Sequence, residues 1–357
     1  MTHLRAATVA LLFAPLLCAA RSIGAQTSDS VKQVKFFQSE TPLVVTLTTN
    51  IGRLRGDKPD KDGNAPWRAA SLRYAAVDGA AVTVPVRVRV RGIWRLKNCQ
   101  FPPIRLNFTS AATKKTIFKG LDKPKLVSFC RDQDAYENYV VQELQLYRVY
   151  HLLTPASHAV RLLKMTYVDS ASGKTHAVRY AFIEEDPAAM ADRLGGKLMK
   201  TKGATPDDLE PAHDAVVGLF QYMIGNTDFA LSELHNAELF SSAATGEYWP
   251  IVYDFDYAGA VNASYATADP SLRLASVRTR LYRGYCVPAE TYPGVIALFN
   301  AKREAIYHLY RDSIGQLMRP QDVRETLAYF DDFYSTLNSP GDFRSSVVER
   351  CLGAKKK

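Results

Sequence analysis

From Val82 to Arg91 apolar and polar positions alternate, with Val84, Val86, Val88 and Val90 on one side and Arg87, Arg89 and Arg91 on the other. A period of two predicts an antiparallel strand with one buried and one wet face. Pro42 to Thr48 reads as an earlier strand, and Ile104, Leu106 and Phe108 repeat the alternation after Pro102-Pro103. Gly56 to Pro66 is charged and rich in Gly, Pro and Asp, which predicts a loop. The period then changes. Tyr136, Val140, Glu143, Tyr147 and Tyr150 step by three or four, so they share one face of a helix. Asp132 or Asp134 can cap it and Pro155 stops it. Two alternating runs, 159–168 and 176–184, flank Asp169-Ser-Ala-Ser-Gly-Lys174 and predict a hairpin.

After Asp186-Pro187 the pattern becomes mostly helical. Thr205-Pro206-Asp207-Asp208 has the layout of a helix start: a cap, a proline, then acids against the dipole. Leu209, Val216, Phe220 and Met223 form its buried stripe and Gly225 ends it. A polar loop over 226–236 leads to a short strand with apolar Ile251, Tyr253 and Phe255, then to a long irregular stretch over 257–288. Helices are predicted near 290–312, 320–337 and 340–352. Strands followed by helices predict an α+β chain of two lobes, β-rich over 26–186 and helical over 187–357. The junction of two lobes is a usual place for a ligand.

The first 25 residues change the arithmetic. Arg5, an apolar run from Ala6 to Ala20 and Ile23-Gly24-Ala25 before Gln26 have the layout of a secretory signal peptide, so the chain is expected to be exported. No later stretch is long and apolar enough for a transmembrane span. The 357-residue chain carries a formal charge of +9 and five cysteines. Cleavage after Ala25 removes two arginines, no acid and Cys18, leaving +7 and four cysteines. An even number in an exported chain points to disulfides. Cys99–Cys130 with Cys286–Cys351 is the preferred pairing of three, because each pair lies within one half of the chain. With no C-x-x-C and no clustered histidines, zinc is disfavoured.

Two segments carry candidate chemistry. Ile224 to Asn236 places Asp228 in a loop after a buried helix, with His235 and Asn236 following. Tyr253-Asp-Phe-Asp-Tyr257 places Asp254 and Asp256 two apart, which on a strand gives them one face and a separation of roughly 7 Å. Carboxylates and an asparagine oxygen are hard ligands suited to Mg²⁺ or Mn²⁺. Phosphoryl transfer uses such a set: one Asp for the nucleophile's proton, an Asn and an Asp for metal on the phosphates.

In order and spacing these pieces resemble the CotH-like atypical kinases. The resemblance runs from Val88-Arg-Val-Arg-Gly92 through Asp134-Ala-Tyr-Glu-Asn138, Leu153-Thr-Pro155 and Phe182-Ile-Glu-Glu185 to Asn226-Thr-Asp228 and Tyr253-Asp-Phe-Asp256. It implies a bilobal protein-kinase-like fold, with one main helix in the β-rich lobe, that binds ATP with Mg²⁺ or Mn²⁺. It implies Asp228 as catalytic base, Asn236 and Asp254 as metal ligands, and Asp256 sharing or replacing the role of Asp254. Phe182 to Glu185, with Glu184, would sit at a hinge where adenine bonds the backbone. Glu143 interrupts the apolar stripe of its helix and needs a cation, Arg105 first and Lys125 second. Either cation would hold phosphates.

The chain departs from ordinary kinases in lacking G-x-G-x-x-G, in an eight-residue gap from Asp228 to Asn236, and in Arg105 where lysine is usual. Arginine is not equivalent to lysine there, so an inactive kinase-like binding module is the second reading. A disulfide-stapled envelope protein is the third. Absence of G-x-x-x-x-G-K-[ST] excludes a P-loop enzyme, and absence of G-x-S-x-G argues against a serine hydrolase. Residues 81–131 hold twelve Lys and Arg against Asp122 alone, a field that favours anions. Arg273, Arg278, Arg280 and Arg283 suggest an acidic protein substrate. Nucleic acid is not expected, because no matching motif is present.

Overall fold

Seven strands close into a barrel in the computed structural model of this chain, which describes residues 33–60, 65–92 and 94–353. The strands are β1 (Leu43–Thr49), β2 (Arg68–Ala75), β3 (Ala81–Val90), β4 (Ile104–Asn107), β5 (Lys125–Val127), β6 (Val160–Asp169) and β7 (Thr175–Glu184). Their order around the barrel is β1-β2-β3-β4-β5-β7-β6. Every pair is antiparallel except β1 with β6, which is parallel and closes the ring. Closure leaves no unpaired edge.

The expected bilobal kinase-like fold is therefore not what the chain builds. The β-rich half is a closed mixed barrel, and it carries α1 (Ile51–Gly56), α2 (Trp94–Asn98) and α3 (Ser110–Thr113) besides the main helix α4 (Asp134–Leu153). The hinge at Phe182 to Glu184 is likewise absent. These residues lie inside β7 and pair with β5 on one side and β6 on the other. Glu185 N–H continues the pattern by donating to Ala159 O. Backbone committed to two ladders does not offer its polar groups to a ligand.

Alternation explains the barrel's filling. Val84, Val86, Val88 and Val90 of β3 point inward with Ile104, Leu106, Leu126, Met165 and Ile183, forming one core. The opposite face of the wall at β5, β6 and β7 presents Val127, Leu162 and Phe182 to a second core. That core holds the apolar face of α4 and the helices α5 (Pro187–Arg193), α6 (Pro211–Ile224), α7 (Tyr292–Leu309), α8 (Pro320–Asn338) and α9 (Pro340–Phe343). A three-stranded sheet, β8 (Gly196–Met199), β9 (Ala237–Ser242) and β10 (Tyr248–Val252), lies within this half. The described residues belong to one compact unit, Val31–Lys357.

Local expectations fared unevenly. The helix 134–153, the hairpin and the two disulfides, Cys99–Cys130 and Cys286–Cys351, are as read. α4 starts after Gln133, whose side chain makes no cap bond, with Asp134 and Glu137 in the first turn. Thr205 caps only a short 3-10 turn, Pro206–Asp208. The helix itself begins at Pro211, where Glu210 accepts from the amides of Ala212 and His213. Gly225 ends it in the left-handed region, φ 66°, as its role as a stop requires. β10 stops at Val252, so Asp254 and Asp256 are not on a strand. Asp254 turns to φ 64°, and the one-face argument for the pair does not apply. The expected signal peptide, residues 1–25, lies outside the described residues. Among those described, no helix is long and apolar enough to cross a membrane.

Candidate functional site

Partner residues in adjacent strands project to the same face. Arg89 stands opposite Arg105, Arg105 opposite Lys125, and Lys125 opposite Glu184. Three cations and one acid thus form a row across β3, β4, β5 and β7 on the outer wall of the barrel. Lys125 Nζ lies 2.6 Å from Glu184 Oε1 and 4.1 Å from the centre of the Tyr253 ring. Burial works to raise the Glu184 carboxyl, but Lys125, His158 and Arg91 outweigh it and hold it below its usual value. His158 is buried and bridges this end, with Nδ1 at 3.1 Å from Glu185 O and Nε2 at 3.2 Å from Glu238 Oε2. Burial lowers its affinity for a proton, and the Glu238 and Glu184 carboxylates more than restore it.

A second group of acids lies beside the row. Glu143 is 2% exposed on α4 and its Oε1 has no protein partner. Neither Arg105 nor Lys125 forms an ion pair with it, contrary to the sequence expectation, because the β5–β7 register delivers Lys125 to Glu184. Burial, then Asp256 and Asp254, push the Glu143 carboxyl well above its ordinary range, with Arg95 opposing them. Asp256 is pushed up to about 7 by burial and by Asp254, against Arg95. It also accepts from the Tyr265 hydroxyl at 3.0 Å. Arg95 feels the converse: burial disfavours its charge, but Tyr265, Asp256, Glu143 and Asp254 together raise it. Its guanidinium donates to Ser128 O. Arg91 feels Asp254 and Glu184 and keeps a buried Nε with no protein partner.

Tyr147 joins the two groups. Its hydroxyl donates to Glu184 Oε2 at 3.3 Å and accepts from the amide of Asp254 at 2.9 Å. The second bond anchors Asp254 in its left-handed turn, a conformation that Asp tolerates better than most residues.

Asp228 follows the stop of α6. Its Oδ1 is 2.9 Å from His235 Nε2, and Asn236 Nδ2 donates to its carbonyl at 2.8 Å and to Oδ2 at 3.0 Å. The eight-residue gap is taken up by a turn in which Ala230 pairs with His235, and Leu234 and Asn236 adopt positive φ. Asn236 thus braces Asp228 through its amide nitrogen. Asp228 also contributes to raising Asp256, so the two belong to one electrostatic field.

Among the described residues no three His, Cys, Asp or Glu side chains converge closely enough to hold a metal by themselves. Mg²⁺ seldom needs that, because one or two carboxylates and the phosphates of its substrate commonly complete its shell. Asp254 and Asp256 fit such a role. Arg95 already places one positive charge in the field of these acids, and Glu143 Oε1 keeps no protein partner.

Sequence reasoning brought forward Asp228, Asn236, Asp254, Asp256, Glu143, Glu184, Lys125 and Arg105. It did not single out Arg91, Arg95, His158, Tyr147 or Tyr265 as site residues, counting the two arginines only within the positive field of 81–131. Gly92 turns at φ 73° just past β3, and Arg95 lies on the short helix α2 that follows. No family model matches the chain, and no curated protein matches it.

Proposed function

We propose that this chain is an exported phosphotransferase that moves the γ-phosphoryl of ATP to a hydroxyl acceptor with Mg²⁺ or Mn²⁺, as the resemblance to CotH-like enzymes implies. The observation that carries this reading is the cluster of buried Glu143 and Asp256 with part-buried Asp254 in the field of Arg91 and Arg95, beside a cationic row and the braced Asp228. A cation bound by Asp254 and Asp256 would neutralise phosphate charge. Arg105, Lys125 and Arg91 supply fixed positive charge for the phosphates. Asp228 accepts the proton of the attacking hydroxyl. As that oxygen bonds to the γ-phosphorus, the bond to the β,γ-bridging oxygen breaks and its electron pair leaves with ADP.

Two disulfides suit an exported protein. The test is a thermal shift with ATP and Mn²⁺. The wild type is expected to gain several degrees, and Asp254→Asn to lose most of that gain. No gain with ATP and either metal would overturn the reading.

A further inference from the structure

The arginines that suggested an acidic substrate are largely occupied. Arg280 donates to the carbonyls of Tyr222, Met223 and Tyr329, and so caps the end of α6. Arg278 donates to Gly259 O and lies over the Tyr329 ring. Arg283 donates to Thr227 O. An acidic peptide would find only Arg273 of the four outside such contacts.

The space beside Asp228 has a different character. A cavity of about 250 Å³ is lined by Asp228, His235, Asp269, Thr227, Thr267 and Tyr257. Pockets for drug-sized ligands run to ~300–1,000 Å³, so this one suits a single ring. Its carboxylates and hydroxyls stand beside apolar Phe229, Pro270 and Val277 and the Arg283 guanidinium, which is held by Thr227 O. Tyr257 also belongs to an aromatic cluster. The Trp94 ring lies 5.8 Å from Tyr257 and 5.5 Å from Tyr265, and Tyr265 lies 5.9 Å from Tyr257. Trp94 is 40% exposed, which leaves ring surface open. Tyr265 ties the cluster to Asp256.

An open aromatic face next to carboxylates and hydroxyls is the combination that recognises a sugar. Aliphatic C–H groups of a pyranose stack on the rings, while its hydroxyls donate to Asp and Thr oxygens. We propose that this cavity and the Trp94–Tyr257 face bind a neutral carbohydrate. Its role as phosphoryl acceptor, with a ring hydroxyl at Asp228, rests on the phosphotransferase reading above. The sugar C–O bond is retained, its oxygen bonds to the γ-phosphorus as the bond to the β,γ-bridging oxygen breaks and ADP leaves with that electron pair, and the hydroxyl proton passes to Asp228.

The test separates the two claims by omitting nucleotide. Saturation-transfer NMR is run with cellobiose, maltose and chitobiose, and in parallel with an acidic serine-containing peptide. At least one disaccharide is expected to receive saturation from the wild type. Trp94→Ala should weaken that binding at least tenfold and Trp94→Phe should restore most of it, with unchanged circular dichroism showing that both fold. No disaccharide signal, a signal indifferent to Trp94, or binding of the acidic peptide alone would overturn the proposal. Sugar binding without any phosphoryl transfer from ATP would leave the carbohydrate site standing and overturn its role as acceptor site.

Discussion

Lys125 and Glu184 face each other in register across β5 and β7, 2.6 Å apart, and Glu184 is 2% exposed. Breaking a buried pair by removing one partner strands a charge, at ~3–5 kcal/mol. Lys125→Met should lower stability to chemical denaturation by about 3 kcal/mol. The double variant Lys125→Met, Glu184→Gln should recover more than half of that. A single-variant loss below about 1 kcal/mol, the range of exposed pairs, would contradict the description. The sign of the pH effect follows. The folded Glu184 carboxyl lies below its usual value of 4.5. Its contribution is therefore complete above that pH and is lost as pH falls through the folded value. Glu184→Gln should flatten the acid limb of the Tm–pH profile.

Asp214 works in the opposite direction. It is 5% exposed on α6, and burial with nearby Glu210 pushes its carboxyl up to about 7 from 3.8. The folded state then holds a proton that the unfolded chain releases, so stability falls as pH rises between those values. Asp214→Asn should raise Tm at pH 8 and change it little at pH 3. An equal effect at both pH values would count against this account.

How much of this was readable beforehand depended on range. Period-two valines and the 3.6-residue stripe of α4 announce themselves locally, and β3 and α4 are where they were expected. Barrel closure was not legible, because the β1–β6 parallel pair joins residues over a hundred positions apart. β2 was missed for another reason: in Arg68–Ala75 only Leu72 and Tyr74 are buried, too few to set a period. At the site, Asp228 stood out in a polar loop just after a buried helix, and Asp254 and Asp256 as acids among aromatic neighbours. The partners of Glu143 did not, because which cation meets which acid is decided by strand register. A one-strand change of neighbour gives Lys125 to Glu184 and leaves Arg95 near Glu143.

The disulfides bear on both halves. Cys286–Cys351 spans 65 residues and Cys99–Cys130 spans 31, and loop closure on those scales is worth about 4 kcal/mol each. Cys99–Cys130 also closes the segment holding Arg95, whose carbonyl accepts from Cys99 N–H, while Cys130 O accepts from Gln100 and Phe101. Replacing that pair by serine should lower Tm and also reduce the thermal gain with ATP and Mn²⁺. Replacing Cys286 and Cys351 should lower Tm and leave that gain intact. Equal loss of the gain in both would show that Arg95 is not held by the first disulfide.

The central claim is phosphoryl transfer at Asp228. Its most direct measurement is the release of label from γ-³²P-ATP onto an acceptor, with Mg²⁺ or Mn²⁺, comparing the wild type with Asp228→Ala. Covalent label on a sugar or protein hydroxyl, reduced at least a hundredfold by Asp228→Ala while ATP still raises Tm, is the predicted result. ATP binding with no transfer by the wild type, or transfer undiminished in Asp228→Ala, would contradict it.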